Sequence, residues 1–315
     1  MVLFAGSSIL PTARKIADTL GIQLGESQSS QFPDSESYVQ LLQSVRGADV
    51  FIIQSTCNPV NDNYMELLIM IDAARRASAA RITVVMPYMG YSRQDRKARG
   101  REPISAKLMA DLITTAGADR CVSVDLHNSA IQGFFHIPLD HLTAIPVMVA
   151  ALKEMTITNP ILVAPDVGRA KLVEMVQKMM DLPMAIMHKR RTGLEVEVKE
   201  VIGDVRDMSP IIIDDIIASG STIRHVDALV EAGARPEVIM AITHPILCGD
   251  AVKRLEHPAL RTLITTDTIP SREDNISSKI RVVSVAPMLA DIIRRIHEDE
   301  SVSEVITKQM DEFAV

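Results

Sequence analysis

Residues Ile211–Ile223 read IIIDDIIASGSTI. An apolar run ends in two acids, passes through small residues and leads into a helix predicted over 221–232. Parallel α/β sheets hold their ligands beyond the carboxyl ends of strands. A turn of small residues lets backbone N–H groups approach a phosphate, and the following helix N-terminus adds partial positive charge. Ser219, Ser221 and Thr222 bring hydroxyl donors, and Asp214 and Asp215 stand where they can accept hydrogen bonds from two neighbouring ribose hydroxyls. Helix capping accounts for one such hydroxyl. It does not account for two acids ending an apolar strand, where unpaired charge is costly.

Two further clusters carry charge of useful type. Tyr91–Lys107 reads YSRQDRKARGREPISAK and offers Arg and Lys groups suited to a polyphosphate. The alternative for such a run is a solvated basic loop. Asp125 and His127 follow a predicted strand, a placement that can support Mg²⁺ and nucleotide phosphates. An isolated Asp-x-His also fits a purely structural histidine.

These residues are carried by a regular alternation. Strands are predicted at Val2–Ala5, Val50–Gln54, Ile82–Pro87 and Cys121–Asp125, with helices over 12–20, 61–77 and 104–116. The pattern resumes with strands at Pro160–Ala164, Met184–Met187, Pro210–Asp214 and Val238–Thr243, and helices over 170–180, 221–232 and 286–296. Strands alternating with helices imply mostly parallel sheets covered by helices. The expected architecture is two open α/β domains, 1–145 and 146–315. The last helix, about 286–305, is expected to pack back on the first domain.

Composition narrows the function. The 315 residues carry a formal net charge of −7, with 3% aromatic residues and no Trp. That argues against a nucleic-acid surface or a stacking platform for single strands. Three scattered cysteines give neither a disulfide framework nor a zinc pattern, which suits a cytoplasmic protein. No apolar stretch reaches membrane-spanning length.

Taken together, the motifs resemble the ribose-phosphate pyrophosphokinase family, also called phosphoribosyl-diphosphate synthetases. The resemblance runs through FAGSS near the start, IIQSTCNPVNDNYMELLIMIDAARRASA at Ile52–Ala79 and the RQDRK segment. It continues in VDLHNSAIQGFFHIPLDH at Val124–His141, HKRR at His188–Arg191, THPILCG at Thr243–Gly249 and SVSEV at Ser301–Val305. It implies two domains of the phosphoribosyltransferase type, Mg²⁺ as cofactor, ATP and ribose 5-phosphate as substrates, and a homo-oligomer of dimers assembling into hexamers.

The resemblance also implies roles. Phe32, Asp34, Ser35 and Glu36 match the segment that contacts adenine from a neighbouring subunit. Arg93, Gln94, Asp95 and His127 match ATP contacts. Asp125, His127 and Asp166 match metal-associated positions. Lys189 matches the catalytic lysine of a mobile loop, with Arg191 its companion. Asp214, Asp215, Ala218, Ser219, Gly220, Ser221 and Thr222 match the ribose 5-phosphate site.

The chain departs from the family pattern at several points. Ala218 stands where an acid is usual, Ser35 where Gly is usual, and His136 where Asp is common, while Asp140 persists. After Asp166 a longer glycine-rich stretch is missing, and the chain runs directly through Val167, Gly168, Arg169 and Ala170. That bears on phosphate activation and nucleotide inhibition. Two other functions share part of the pattern: a phosphoribosyltransferase, and a non-catalytic regulatory homologue of the synthetase.

Overall fold

A computed structural model describes residues 1–192, 195–271 and 277–303, with the backbone only for 189–192, 195–199 and 221. The chain divides into two compact units, the first holding Met1–Thr143, Thr268–Pro270 and Ser284–Ile306, the second the remainder.

In the first unit, β1 (Val2–Ala5) leads to α1 (Leu10–Leu20), which ends at Gly21 in the left-handed conformation. A hairpin of β2 (Ser27–Gln31) and β3 (Ser37–Leu41) follows. Then come β4 (Asp49–Ile53), α2 (Val60–Arg76), β5 (Arg81–Met86), α3 (Ser105–Ala116), β6 (Arg120–Val124) and β7 (Leu139–Leu142). Strands β1, β4, β5, β6 and β7 pair in parallel in the order β1-β4-β5-β6-β7. β4 and β5 are apolar on both faces, as strands covered on both sides must be. Phe4, Ile52, Leu67, Val84 and Ile113 form part of one core. Beside it sits a buried polar cluster: Ser7 Oγ and Gln54 Nε2 each donate to Glu66 Oε2 at 2.6 Å. Gly6 is required there, because a Cβ would stand 2.3 Å from Gln54 Oε1.

The second unit begins with α4 (Ile145–Lys153), β8 (Pro160–Ala164), α5 (Ala170–Met180) and β9 (Met184–Thr192). It continues with β10 (Glu195–Ile202), β11 (Ser209–Ile217), α6 (Arg224–Glu231), β12 (Val238–Pro245), α7 (Ala251–Leu255), β13 (Leu260–Thr266) and β14 (Ile280–Val283). The sheet order is β10-β9-β8-β11-β12-β13-β14, parallel except for the antiparallel pair β9–β10. Separate cores cover its two faces: Val163, Ile212, Val226 and Met240 belong to one, Leu162, Val176, Ile211 and Ile239 to the other. This is the period-2 alternation of a central strand buried on both sides.

The last described helix, α8 (Ala286–His297), belongs to the first unit. Arg81 Nη2 donates to its Ile296 carbonyl at 2.8 Å, and His297 Nδ1 lies 2.8 Å from Asp49 Oδ2.

Three sequence expectations change in extent. The apolar run expected to stop at Asp214 continues as strand to Ile217. The helix expected from 221 begins as a 3-10 turn, Ser221–Ile223, and becomes α-helical at Arg224. The strand expected to end at Met187 runs on to Thr192, so the backbone of Lys189 and Arg191, expected in a loop, lies in β9 opposite β10. Gly193, next after β9, lies outside the described residues.

Candidate active site

In the second unit the acids owe their setting to unequal strand lengths. β8 accompanies β11 only as far as the Ile212–Val163 pair, whereas β12 pairs with it to Ile217–Pro245. Asp214 and Asp215 therefore lie beyond the end of β8. There the chain leaves the sheet through Pro165 and Asp166 and makes a 3-10 turn, Val167–Arg169, before α5. That turn delivers a guanidinium to the acids. Arg169 Nε lies 3.1 Å from Asp214 Oδ1, and its Nη2 lies 2.7 Å from Asp215 Oδ1.

Burial pushes the Asp214 carboxyl well above the usual carboxylate range, and the charge and hydrogen bond of Asp215 add to the rise. Arg169 and the Asp215 N–H, which donates to Asp214 Oδ1 at 2.9 Å, pull the other way. Asp166 shares the turn with Arg169. A Cβ at Gly168 would stand 3.1 Å from Asp166 Oδ1, so glycine leaves that carboxylate room.

The small-residue turn after β11 is braced from one side. The Ala218 carbonyl accepts from Cys248 N at 3.0 Å, and the Ser219 carbonyl from Arg254 Nη1 at 3.2 Å. In a trans peptide the N–H points opposite to the C=O. The N–H groups of Ser219 and Gly220 are thus directed away from those two contacts, on the side where they could serve an anion. Glycine suits position 220: its φ is +71°, where an L side chain is strained, and a Cβ would stand a tight 3.1 Å from Ala251 Cα in α7. Ser219 is exposed and Thr222 half-buried. The side chains of Ser221, Lys189 and Arg191 lie outside the described residues.

In the first unit the loop after β5 carries Arg93 and Gln94, both exposed, and the half-buried Asp95. Gln94 Oε1 accepts from Ser105 Oγ at the start of α3, which ties this loop to the helix. Asn128 Nδ2 donates to Asp95 Oδ2 at 2.6 Å, joining the loop to the segment after β6. That segment holds Asp125, buried with φ +39°, and the half-buried His127. Its position is set by β7: Asp125 N donates to the Leu142 carbonyl, and Leu126 N to His141 Nε2, both at 2.9 Å. The first unit thus brings Asp95, Asp125 and His127 into one loop cluster.

Phe32, Asp34, Ser35 and Glu36 occupy the tip of the β2–β3 hairpin. Phe32 and Tyr38 meet edge to face at 5.7 Å, and Phe32 is about half exposed at 51%. Ser35, where the resemblance expects glycine, has φ +73°. Among the described residues, no hydrogen bond or ring contact joins this tip to Arg93, Gln94 or Asp95.

The donor set can be tested against Mg²⁺. Among the described residues no group of three or more His, Cys, Asp or Glu side chains could hold a metal ion by itself. Mg²⁺ keeps several waters and is commonly held by one or two carboxylates together with substrate phosphates. Within its own unit, each of Asp125 and Asp166 offers a single carboxylate, as that sparse pattern requires.

Sequence reading missed the part played by Arg169, Asn128 and His141. Arg169 did carry a signal, a cation three residues after an acid in a shortened strand-to-helix turn.

The fold places the chain in the class of phosphoribosyltransferase-type α/β enzymes. Residues 1–117 match the N-terminal domain of ribose phosphate pyrophosphokinase, and residues 163–307 the phosphoribosyl synthetase-associated domain. A ribose-phosphate pyrophosphokinase of Clostridium acetobutylicum is 46% identical over 98% of this chain and 97% of its own. One from Haemophilus ducreyi is 47% identical over 96% of this chain and 97% of its own. The crystal structure of phosphoribosylpyrophosphate synthetase from Mycobacterium smegmatis superposes with a TM-score of 0.90 at 42% identity, covering 95% of this chain and 99% of that one. The chain belongs to the ribose-phosphate pyrophosphokinase family. Among the described residues, no helix is long and apolar enough to cross a membrane.

Proposed function

We propose that the chain transfers the pyrophosphoryl group of Mg-ATP to the 1-hydroxyl of ribose 5-phosphate, giving phosphoribosyl diphosphate and AMP. The observation that carries this reading is the second unit's pairing of two acids with a small-residue turn at the carboxyl end of one strand, a turn we read as an anion nest. The 5-phosphate is held by the N–H groups of Ser219 and Gly220 and by the Ser221 and Thr222 hydroxyls. Asp214 and Asp215 accept hydrogen bonds from the sugar hydroxyls. The relatives' shared name, ribose-phosphate pyrophosphokinase, supports the same substrate.

On the first unit, Arg93, Gln94, Asp95 and His127 bind ATP, with Phe32, Asp34, Ser35 and Glu36 contributing to the adenine seat of a neighbouring copy in a homo-oligomer. Asp125 and His127 on this unit, and Asp166 on the second, are the residues that would hold Mg²⁺ together with substrate phosphates. When bound, the ion supplies charge neutralisation on the phosphate oxygens.

Transfer of this kind asks the protein mainly for alignment and charge stabilisation. The 1-hydroxyl oxygen attacks the β-phosphorus, the bond to the α-phosphate oxygen breaks, and AMP leaves. Lys189 and Arg191 stabilise charge on the transferring group. The reaction proceeds in the cytoplasm, where ATP is supplied.

A coupled assay of AMP formation with Mg²⁺, ATP and ribose 5-phosphate, with and without inorganic phosphate, tests the reading. Pyrophosphate release that depends on a nucleobase, without AMP, overturns it in favour of a phosphoribosyltransferase. No turnover by folded protein overturns it in favour of a regulatory homologue.

A further inference from the structure

Arg169 has no part in the roles assigned above, yet it touches both acids of the ribose site. An arginine fork commonly grips one carboxylate with two parallel bonds. Here the fork is split, with Nε toward Asp214 at 3.1 Å and Nη2 toward Asp215 at 2.7 Å. A planar guanidinium is rigid, so a split fork fixes the spacing and relative orientation of the two carboxylates. Its side chain is only 17% exposed, and the acids are 16% and 5% exposed, so little water competes for these contacts.

The backbone gives Arg169 little freedom. It closes the 3-10 turn that starts at Asp166, its N–H donates to the Asp166 carbonyl at 3.1 Å, and α5 begins at the next residue. The strand-to-helix connection is short enough that the guanidinium is part of the sheet's carboxyl edge. Its charge also offsets the negative charge carried by the acid pair. What remains is a pair of positioned acceptors suited to neutral hydroxyls, rather than a concentrated charge suited to a bare divalent ion.

Resting on the substrate reading above, we propose that Arg169 is a positioning residue that makes Asp214 and Asp215 a two-pronged acceptor, selective for the cis-vicinal diol of ribose 5-phosphate. A sugar phosphate lacking the 2-hydroxyl leaves one prong without a donor and binds more weakly. The contacts described join Arg169 to the two acids, so the proposal makes phosphate binding independent of it.

The test is calorimetric binding of ribose 5-phosphate and 2-deoxyribose 5-phosphate, without ATP, to the wild type, Arg169→Lys and Arg169→Ala. Kinetics of the same proteins accompany it. In Arg169→Ala, ribose 5-phosphate binding falls by about tenfold or more, on the scale of charge-assisted hydrogen bonds. Binding of the 2-deoxy sugar, which uses one prong instead of two, falls by clearly less, so discrimination between the sugars narrows. The KM for ATP stays within about twofold in both variants. Arg169→Lys keeps the charge without the fork and is intermediate.

Equal weakening of both sugar phosphates means a general structural role and overturns the proposal. So does a lysine variant that discriminates as the wild type does. If Arg169→Ala fails to fold, by its circular dichroism spectrum, the lysine variant alone decides. A wild type that binds ribose 5-phosphate but forms no AMP overturns the catalytic reading and leaves this test intact. A wild type that binds neither sugar phosphate overturns both.

Discussion

Asn128 donates from Nδ2 to Asp95 Oδ2 at 2.6 Å, and this bond joins the basic loop after β5 to the segment bearing Asp125 and His127. The two loops leave adjacent parallel strands, β5 and β6. Without a cross-link, loops of this kind are the most mobile parts of an α/β fold. If both bind ATP, the bond holds their spacing before the nucleotide arrives.

Asn128→Ala is therefore expected to raise the KM for ATP about threefold to tenfold, the equivalent of one exposed hydrogen bond. The KM for ribose 5-phosphate should not move. Steady-state kinetics with each substrate varied in turn give the answer, and equal changes in both constants would count against an ATP-specific role.

Gly220 is expected to tolerate no side chain. Its φ of +71° disfavours L-residues, and the Cβ of an alanine would stand 3.1 Å from Ala251 Cα. Gly220→Ala should cost about 1–3 kcal/mol in stability, since strain and crowding add. It should also weaken ribose 5-phosphate binding by moving the N–H groups of the nest. Urea denaturation and calorimetric titration measure the two effects separately.

Ser35 presents the opposite case. Its φ is +73°, but it sits at an exposed hairpin tip. Ser35→Gly removes that strain while loosening the unfolded chain, so a net gain of about 0.5 kcal/mol is expected. A small rise in Tm, with Phe32 and Tyr38 still packed edge to face, is the expected outcome. A fall in Tm would show that the serine side chain holds the turn.

Asp49 supplies the pH dependence. Burial opposes its ionisation, but the hydrogen bonds and charges of Arg81 and His297 win, and its carboxyl is held below the usual carboxylate range. Arg81 grips it through Nε at 2.8 Å and Nη2 at 2.6 Å. A depressed folded-state value means stabilisation that is complete above the unfolded carboxylate value, about 4, and is lost as pH falls through the folded one. Asp49→Asn should thus lower stability by about 1 kcal/mol at pH 7. The deficit should shrink as pH falls below about 4, as followed by thermal melts from pH 7 into acid.

The alternation of strands and helices was legible because Gly, Pro and polar residues punctuate apolar runs along most of the chain. The end of β11 was not. Two acids look like a terminus, yet Ile216 and Ile217 carry the strand on, because β12 runs beside it to Pro245. The compensation for that charge comes from Arg169, on a separate segment whose approach no local pattern reveals. The β2–β3 hairpin was illegible for another reason. Ser27–Gln31 has no apolar alternation, and the ribbon is specified by pairing with Ser37–Leu41. Asp125 and His127 were legible as a pair, but their support from His141 depends on β7, which the sequence did not announce.

The return of α8 to the first unit has a consequence for synthesis. Domains emerging from the ribosome commonly fold in order, N-terminal part first. Here Asp49 and Arg81 pair with each other but lack their contacts to α8 until residues 286–297 have left the exit tunnel, after Ala144–Asp267 of the second unit has been made. Residues 1–143 must therefore wait through the synthesis of most of the second unit before these α8 contacts can form.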